Sequence, residues 1–153
     1  MSETTTVDWR ALPAGRELDR IVAARLGFSV VQLPPRDASK RPKAYVTWEY
    51  KQPGWVIKGE GLHKNLWDVR FREEWEAWDH CPEYSQDANA ALALWDVDYR
   101  WAVYPAYPDD YDKGRFCATF PGHGDQDAGD EYADTPALAI VQAWLAWKDR
   151  QRE

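Results

Sequence analysis

The chain has 153 residues, of which 44% are hydrophobic and 29% charged, with a net charge of −7. That is the size and composition of one ordinary globular domain with its own core, so neither a disulfide framework nor a structural metal is needed for folding. Two cysteines, Cys81 and Cys117, no basic and apolar leader at the N-terminus and no apolar run long enough to span a bilayer point to reduced thiols in a cytoplasmic protein with no membrane partner.

The charge is unevenly distributed. Basic residues outnumber acidic ones by five up to position 72, and acidic residues outnumber basic ones by twelve after it. The acidic half argues against binding to duplex nucleic acid, which depends on neutralising phosphates. The basic half, with Arg36, Lys40, Arg41, Lys43, Lys51, Lys58, Lys64, Arg70 and Arg72, could hold a phosphate or an acidic partner.

In chain order, Pro13 opens a helix over 13–26, with Leu18, Ile21, Val22 and Leu26 at helical spacing and Gly27 as its stop. Residues 28–33 read as a short strand that Pro34-Pro35 terminates. Ala44–Tyr50 and Gly54–Lys58, joined by Gln52-Pro53-Gly54, predict a β-hairpin inserted within residues 34–67. Leu66–Phe71 alternates as a strand does, and Glu73–Trp78 reads as a helical turn or a loop.

A second helix is expected over 84–98, with Ser85 as N-cap and Ala88, Ala91, Leu92, Trp95 and Tyr99 on one face. Arg100–Tyr104 and Arg115–Phe120 follow as two aromatic strands expected to pair antiparallel. Residues 122–131 read as an acidic, glycine-rich loop. The last helix, 136–150, has Thr135 as N-cap, Pro136 at its first position and Leu138, Val141, Trp144 and Leu145 facing inward. This order predicts an α/β (α+β) fold in a single domain, residues 1–153: one small, largely antiparallel sheet sandwiched by helices, with the hairpin inserted.

Three stretches resemble the phage ABA-sandwich family and the related NinX-like phage proteins. They are Glu17-Leu-Asp-Arg-Ile-Val-Ala-Ala-Arg-Leu-Gly27, Pro82-Glu-Tyr-Ser-Gln-Asp87 leading into an alanine-rich helix, and Asp134-Thr-Pro-Ala-Leu-Ala-Ile140 opening the last one. The resemblance implies an α/β/α sandwich encoded by a bacteriophage or prophage, and it implies no established activity.

Seven of the ten tryptophans fall between positions 48 and 101, where the pattern is least regular. Trp95 and Trp144 read as core. Trp48, Trp55, Trp67, Trp75 and Trp78, interleaved with Lys58, Arg70 and Arg72, form the candidate binding set, because tryptophan offers a large contact area and stacks on bases or cations. Ordinary core or sheet packing is the commoner explanation of the same cluster. An aromatic excess of this size also suits a homodimer interface.

No C-x-x-C or H-x-x-x-H spacing occurs, so no metal or other cofactor is expected. Asp125–Glu131 departs from a calcium loop, with Gly129 in a ligand position and Pro136 where the bidentate Glu belongs. No nucleophile elbow or phosphate-cradling loop is present, and a hydrolase would have to use Cys81 or Cys117 with His80 or His123. The expected function is therefore non-enzymatic: binding of a host protein, with counter-defence as the setting, or else sequestration of a small nucleotide-like signal.

Overall fold

Gly27 ends the first helix, α1 (Arg16–Arg25), with a positive φ of 97° that only glycine adopts freely. The amides of Gly27 and Phe28 turn back to the carbonyls of Ala24 and Ala23, which satisfies the helix end and sends the chain straight into β1 (Ser29–Leu33). The computed structural model describes residues 8–95, 100–122 and 128–151. The chain folds as two compact units, one built from Met1–Val22 and Glu83–Glu153, the other from Ala23–Pro82. Its class is α+β with antiparallel strands, as the sequence predicts, but the strands form two sheets rather than one.

In the Ala23–Pro82 unit, β1 pairs antiparallel with β2 (Gly54–Lys58), in a register that sets Val31 against Val56. The expected inserted hairpin does not form. Ala44–Tyr50 instead closes two tight turns, Lys43–Tyr45 and Trp48–Tyr50. The carbonyl of Trp48 accepts from the amides of both Lys51 and Gln52, so the backbone groups that a ladder would need are consumed locally. The strand expected over Leu66–Phe71 survives as a single bridge, Trp55 to Phe71. Helix α2 (Glu74–Trp78) settles the ambiguity at 73–78 and packs on both strands, burying Ala77 completely. Gly59 lies under Phe28, whose ring would stand 2.2 Å from any Cβ added there.

The other unit is organised by α4 (Pro136–Gln151), capped as predicted by Thr135, whose Oγ1 accepts from the Leu138 amide at 3.2 Å. Its burial runs well beyond one stripe. Ala137, Ala139–Val141 and Ala143–Trp147 are all buried, because α4 packs on β3 (Ala102–Pro105), β4 (Phe116–Phe120), β5 (Gly129–Ala133) and α3 (Ala88–Leu92). Leu138, expected to face inward, is only half-buried.

The β3–β4 hairpin forms as predicted. Strand β5 lies in what reads as an acidic loop: an edge strand can carry Asp130 into solvent, Glu131 pairs with Arg10, and the ring of Phe120 covers Gly129. The described part of the second helix is shorter than expected, with Asp87 rather than Ser85 as its cap; Tyr99 lies outside the described residues. Trp95 stacks on Trp101 at 5.3 Å, and Trp101 meets Trp147 edge-on at 5.2 Å. These rings belong to the packing of this unit. Trp144 is 1% exposed, as a core residue should be.

Candidate functional site

The candidate site lies in the Ala23–Pro82 unit, where the ladder on the outer edge of β2 breaks off. Trp55 and Phe71 exchange both of their backbone hydrogen bonds at 2.8 Å. An antiparallel ladder would next join Ile57 to Val69. It does not, because Asp68 adopts φ 64°, unusual for a residue other than glycine, and the Val69 amide turns back to the Leu66 carbonyl. The diverted segment is held in place: Arg36 donates to the Asp68 carbonyl at 2.7 Å, and Arg70 donates to that of Pro34.

The gap left between β2 and the diverted chain is a cavity of about 340 Å³ lined by Val56, Ile57, Lys58, Gly59, Leu62, Trp67 and Asp68. Val56, Ile57 and Leu62 supply an apolar floor. Lys58 and Asp68 bring opposite charges to it, and Trp67 is 64% exposed at its wall. Trp67 is one of several open aromatic rings, with Tyr45, Trp75 and Tyr107, and it is the one that borders this cavity.

Of the eight candidate residues, Lys58 and Trp67 line this cavity. Trp75, on α2, is 58% exposed and does not line it. Trp48, Trp55 and Trp78 are half-buried within the unit. The four arginines of the expected basic patch are engaged in structure: Arg70 binds Pro34, Arg72 lies over the Trp48 ring at 5.2 Å, Arg41 lies over Tyr50 at 5.0 Å, and Arg36 pairs with Glu49 at 3.6 Å. Lys58 is the cation that faces the cavity. The sequence reading missed Val56, Ile57, Leu62 and Asp68. The two glycines just before Leu62, Gly59 and Gly61, are the one local signal of a special backbone path.

A second cavity, of about 540 Å³, lies in the other unit between Arg10, Phe120, Gly129, Asp130, Glu131, Ala146, Asp149 and Arg150. Its charges are mutually engaged. Arg10 pairs with Glu131 at 3.1 Å and lies over Trp9, whose Nε1 donates to Asp149 at 2.9 Å, while Arg150 lies over Phe120. Burial raises the Glu131 carboxyl above the usual range, and the neighbouring Arg10 offsets this only in part.

Both cysteines are free thiols and buried. Cys117 sits in register between Tyr104 and Tyr132; hydrogen bonding to its sulfur, with some desolvation, pushes both phenols up, Tyr132 to about 12. The His80 ring lies tilted against Phe71 with centroids 4.4 Å apart, and His123 lies outside the described residues, as do Asp125, Gln126 and Asp127 of the stretch weighed as a calcium loop. Among the described residues no group of His, Cys, Asp and Glu side chains converges as a metal site would require, and no helix is long and apolar enough to cross a membrane. Comparison with protein-family models, curated proteins and solved structures gives no match.

Proposed function

We propose that this chain is a non-enzymatic phage accessory protein that acts in the cytoplasm of the infected host by docking a host protein, counter-defence being the natural setting, on the Ala23–Pro82 unit. The observation that carries the reading is Trp67, 64% exposed beside a cavity with an apolar floor. Protein interfaces are anchored by tryptophan inserted against pockets of this kind, and an exposed indole with no partner loses the hydrophobic stabilisation that burial would give it. The phage assignment rests on the resemblance in the first, second and last helical stretches.

The test is retention of host proteins by the purified, tagged chain, compared with Trp67→Ala and Trp75→Ala. A host protein retained by the parent and lost from Trp67→Ala supports the reading. Equal retention by all three chains, or none by any, counts against it.

The cavity volume favours a second reading, a small ligand, since about 340 Å³ falls within the range of small-molecule sites. Lys58 would meet an anionic group and Trp67 an aromatic one. A polyphosphate needs several converging cations, and Arg36, Arg70 and Arg72 are engaged elsewhere, so a ligand with one anionic group suits the cavity better than a nucleotide. Native mass spectrometry of the gently purified protein separates the readings: a stoichiometric small molecule that is absent from Lys58→Ala supports this one.

A further inference from the structure

The two-stranded sheet has one edge that nothing described covers. Because Trp55 directs its amide and carbonyl to Phe71, alternation along β2 assigns Gly54, Val56 and Lys58 to the bonds with Leu33, Val31 and Ser29 of β1. The amides and carbonyls of Val30 and Gln32 therefore point away from the sheet, and no described residue bonds to them. Val30, Val31 and Leu33 are half-exposed along this edge, and Ser29 and Gln32 are fully exposed.

The other free edges carry the usual protections. Strand β3 ends in Pro105, and β5 presents the exposed charge of Asp130. Strand β1, Ser-Val-Val-Gln-Leu, has no charge and no proline within it, two adjacent β-branched residues and an open row of donors and acceptors. Natural folds rarely leave such an edge bare.

We propose that the outer edge of β1 pairs antiparallel with β1 of a second copy of this chain, about a two-fold axis at Val31. The register is self-complementary. With Val31 facing its own copy, Val30 of each chain stands opposite Gln32 of the other, so the residues with outward backbone groups meet as hydrogen-bonded pairs. Ser29 meets Leu33, and no like charges oppose each other along the strand. Pro34-Pro35 ends the pairing on both sides. The result is a continuous sheet in the order β2-β1-β1-β2. The cavity lies beyond the outer edge of β2, so both copies of it stay open at the two ends, and a docked partner would be engaged bivalently. The pairing does not depend on what the cavity binds.

Light scattering on the full chain should give twice the 17.7 kDa of one copy. Val31→Cys places two thiols at a non-hydrogen-bonded pair, where the Cα separation of about 4.5 Å allows a disulfide. Mild oxidation should link Val31→Cys into a dimer and leave Ser29→Cys, which faces Leu33, unlinked. Gln32→Pro removes an outward amide and leaves the pairing with β2 intact, so it should weaken self-association about tenfold or more with an unchanged circular dichroism spectrum. A parent chain that stays at 17.7 kDa at every concentration overturns the proposal. So does a dimer in which Val31→Cys does not cross-link; should Gln32→Pro unfold, the cysteine pair carries the test alone.

Discussion

The carboxylate of Asp19, fully buried in α1, accepts hydrogen bonds from both the main-chain amide and the hydroxyl of Ser85, each at 2.7 Å, across 66 positions of sequence. Arg16 reaches the second carboxylate oxygen at 3.0 Å, and Ser85 Oγ accepts from the Gly15 amide at 2.9 Å, with the Gly15 carbonyl at 3.2 Å as an alternative acceptor for its one hydroxyl proton. The network is closed on every side, which is the condition under which a buried carboxylate stabilises a fold. Asp19→Ala leaves the Ser85 amide buried without its acceptor and should cost about 3 kcal/mol, and Ser85→Ala about 1–3 kcal/mol. Urea denaturation of the two single variants and the double should show the losses to be non-additive.

The tryptophans should separate into two classes by stability. Trp144 is 1% exposed beneath the three-stranded sheet, and Trp144→Ala should cost about 3–5 kcal/mol. Trp67→Ala and Trp75→Ala remove exposed rings and should stay within about 0.5 kcal/mol of the parent in thermal or urea unfolding. A large loss at Trp67 would mean that the ring holds the cavity wall together, and its exposure would then carry no functional meaning.

Glu131 should give the protein a pH signature. Burial raises its carboxyl in the folded state, so its contribution to stability is fully present below the unfolded carboxylate range and is lost as pH rises through the raised folded value. Relative to Glu131→Gln, which cannot ionise, the parent should be more stable in acid than at neutral pH. Melting temperatures of both proteins between pH 4 and 7 measure the difference directly, and a parent whose advantage grows toward neutrality would contradict it.

Two glycines with positive φ should respond differently to alanine. At Gly114 (φ 152°) an added Cβ would stand 2.6 Å from the Ala133 amide nitrogen, so Gly114→Ala must displace β5 backbone and should cost more than about 2 kcal/mol. At Gly61 (φ 86°) nothing lies within 4 Å, and only the left-handed conformation opposes alanine, at about 1–2 kcal/mol. Comparing the two unfolding midpoints isolates the close approach from the conformational strain.

Much of the fold was legible from local pattern. Gly27, Thr135 and Pro136 are short-range signals, and the structure keeps them, although the first helix begins at Arg16 rather than Pro13 and Leu26, expected on its apolar face, is exposed beyond its end; the β3–β4 hairpin follows from two aromatic runs around a turn-rich link. Ser85 shows where local reading stops. Its position ahead of an alanine-rich stretch suits an N-cap, yet its partner is Asp19, and Asp87 caps the helix instead.

The binding set was legible as composition and not as geometry. That Trp67 borders an open cavity depends on Asp68 turning left-handed and the ladder stopping after one bridge, which the sequence pattern there does not announce. The sequence by itself determined the fold class, the glycine stop of the first helix, the cap of the last and the aromatic wealth, because these follow from φ preferences, capping and periodicity within a few residues. Tertiary structure alone decided that β2 would choose β1 over its near neighbour, that β5 would form from acidic residues, that the arginines would be engaged internally and that Trp67 would be left uncovered. Each of these is a competition between distant segments for the same backbone groups and the same apolar surface.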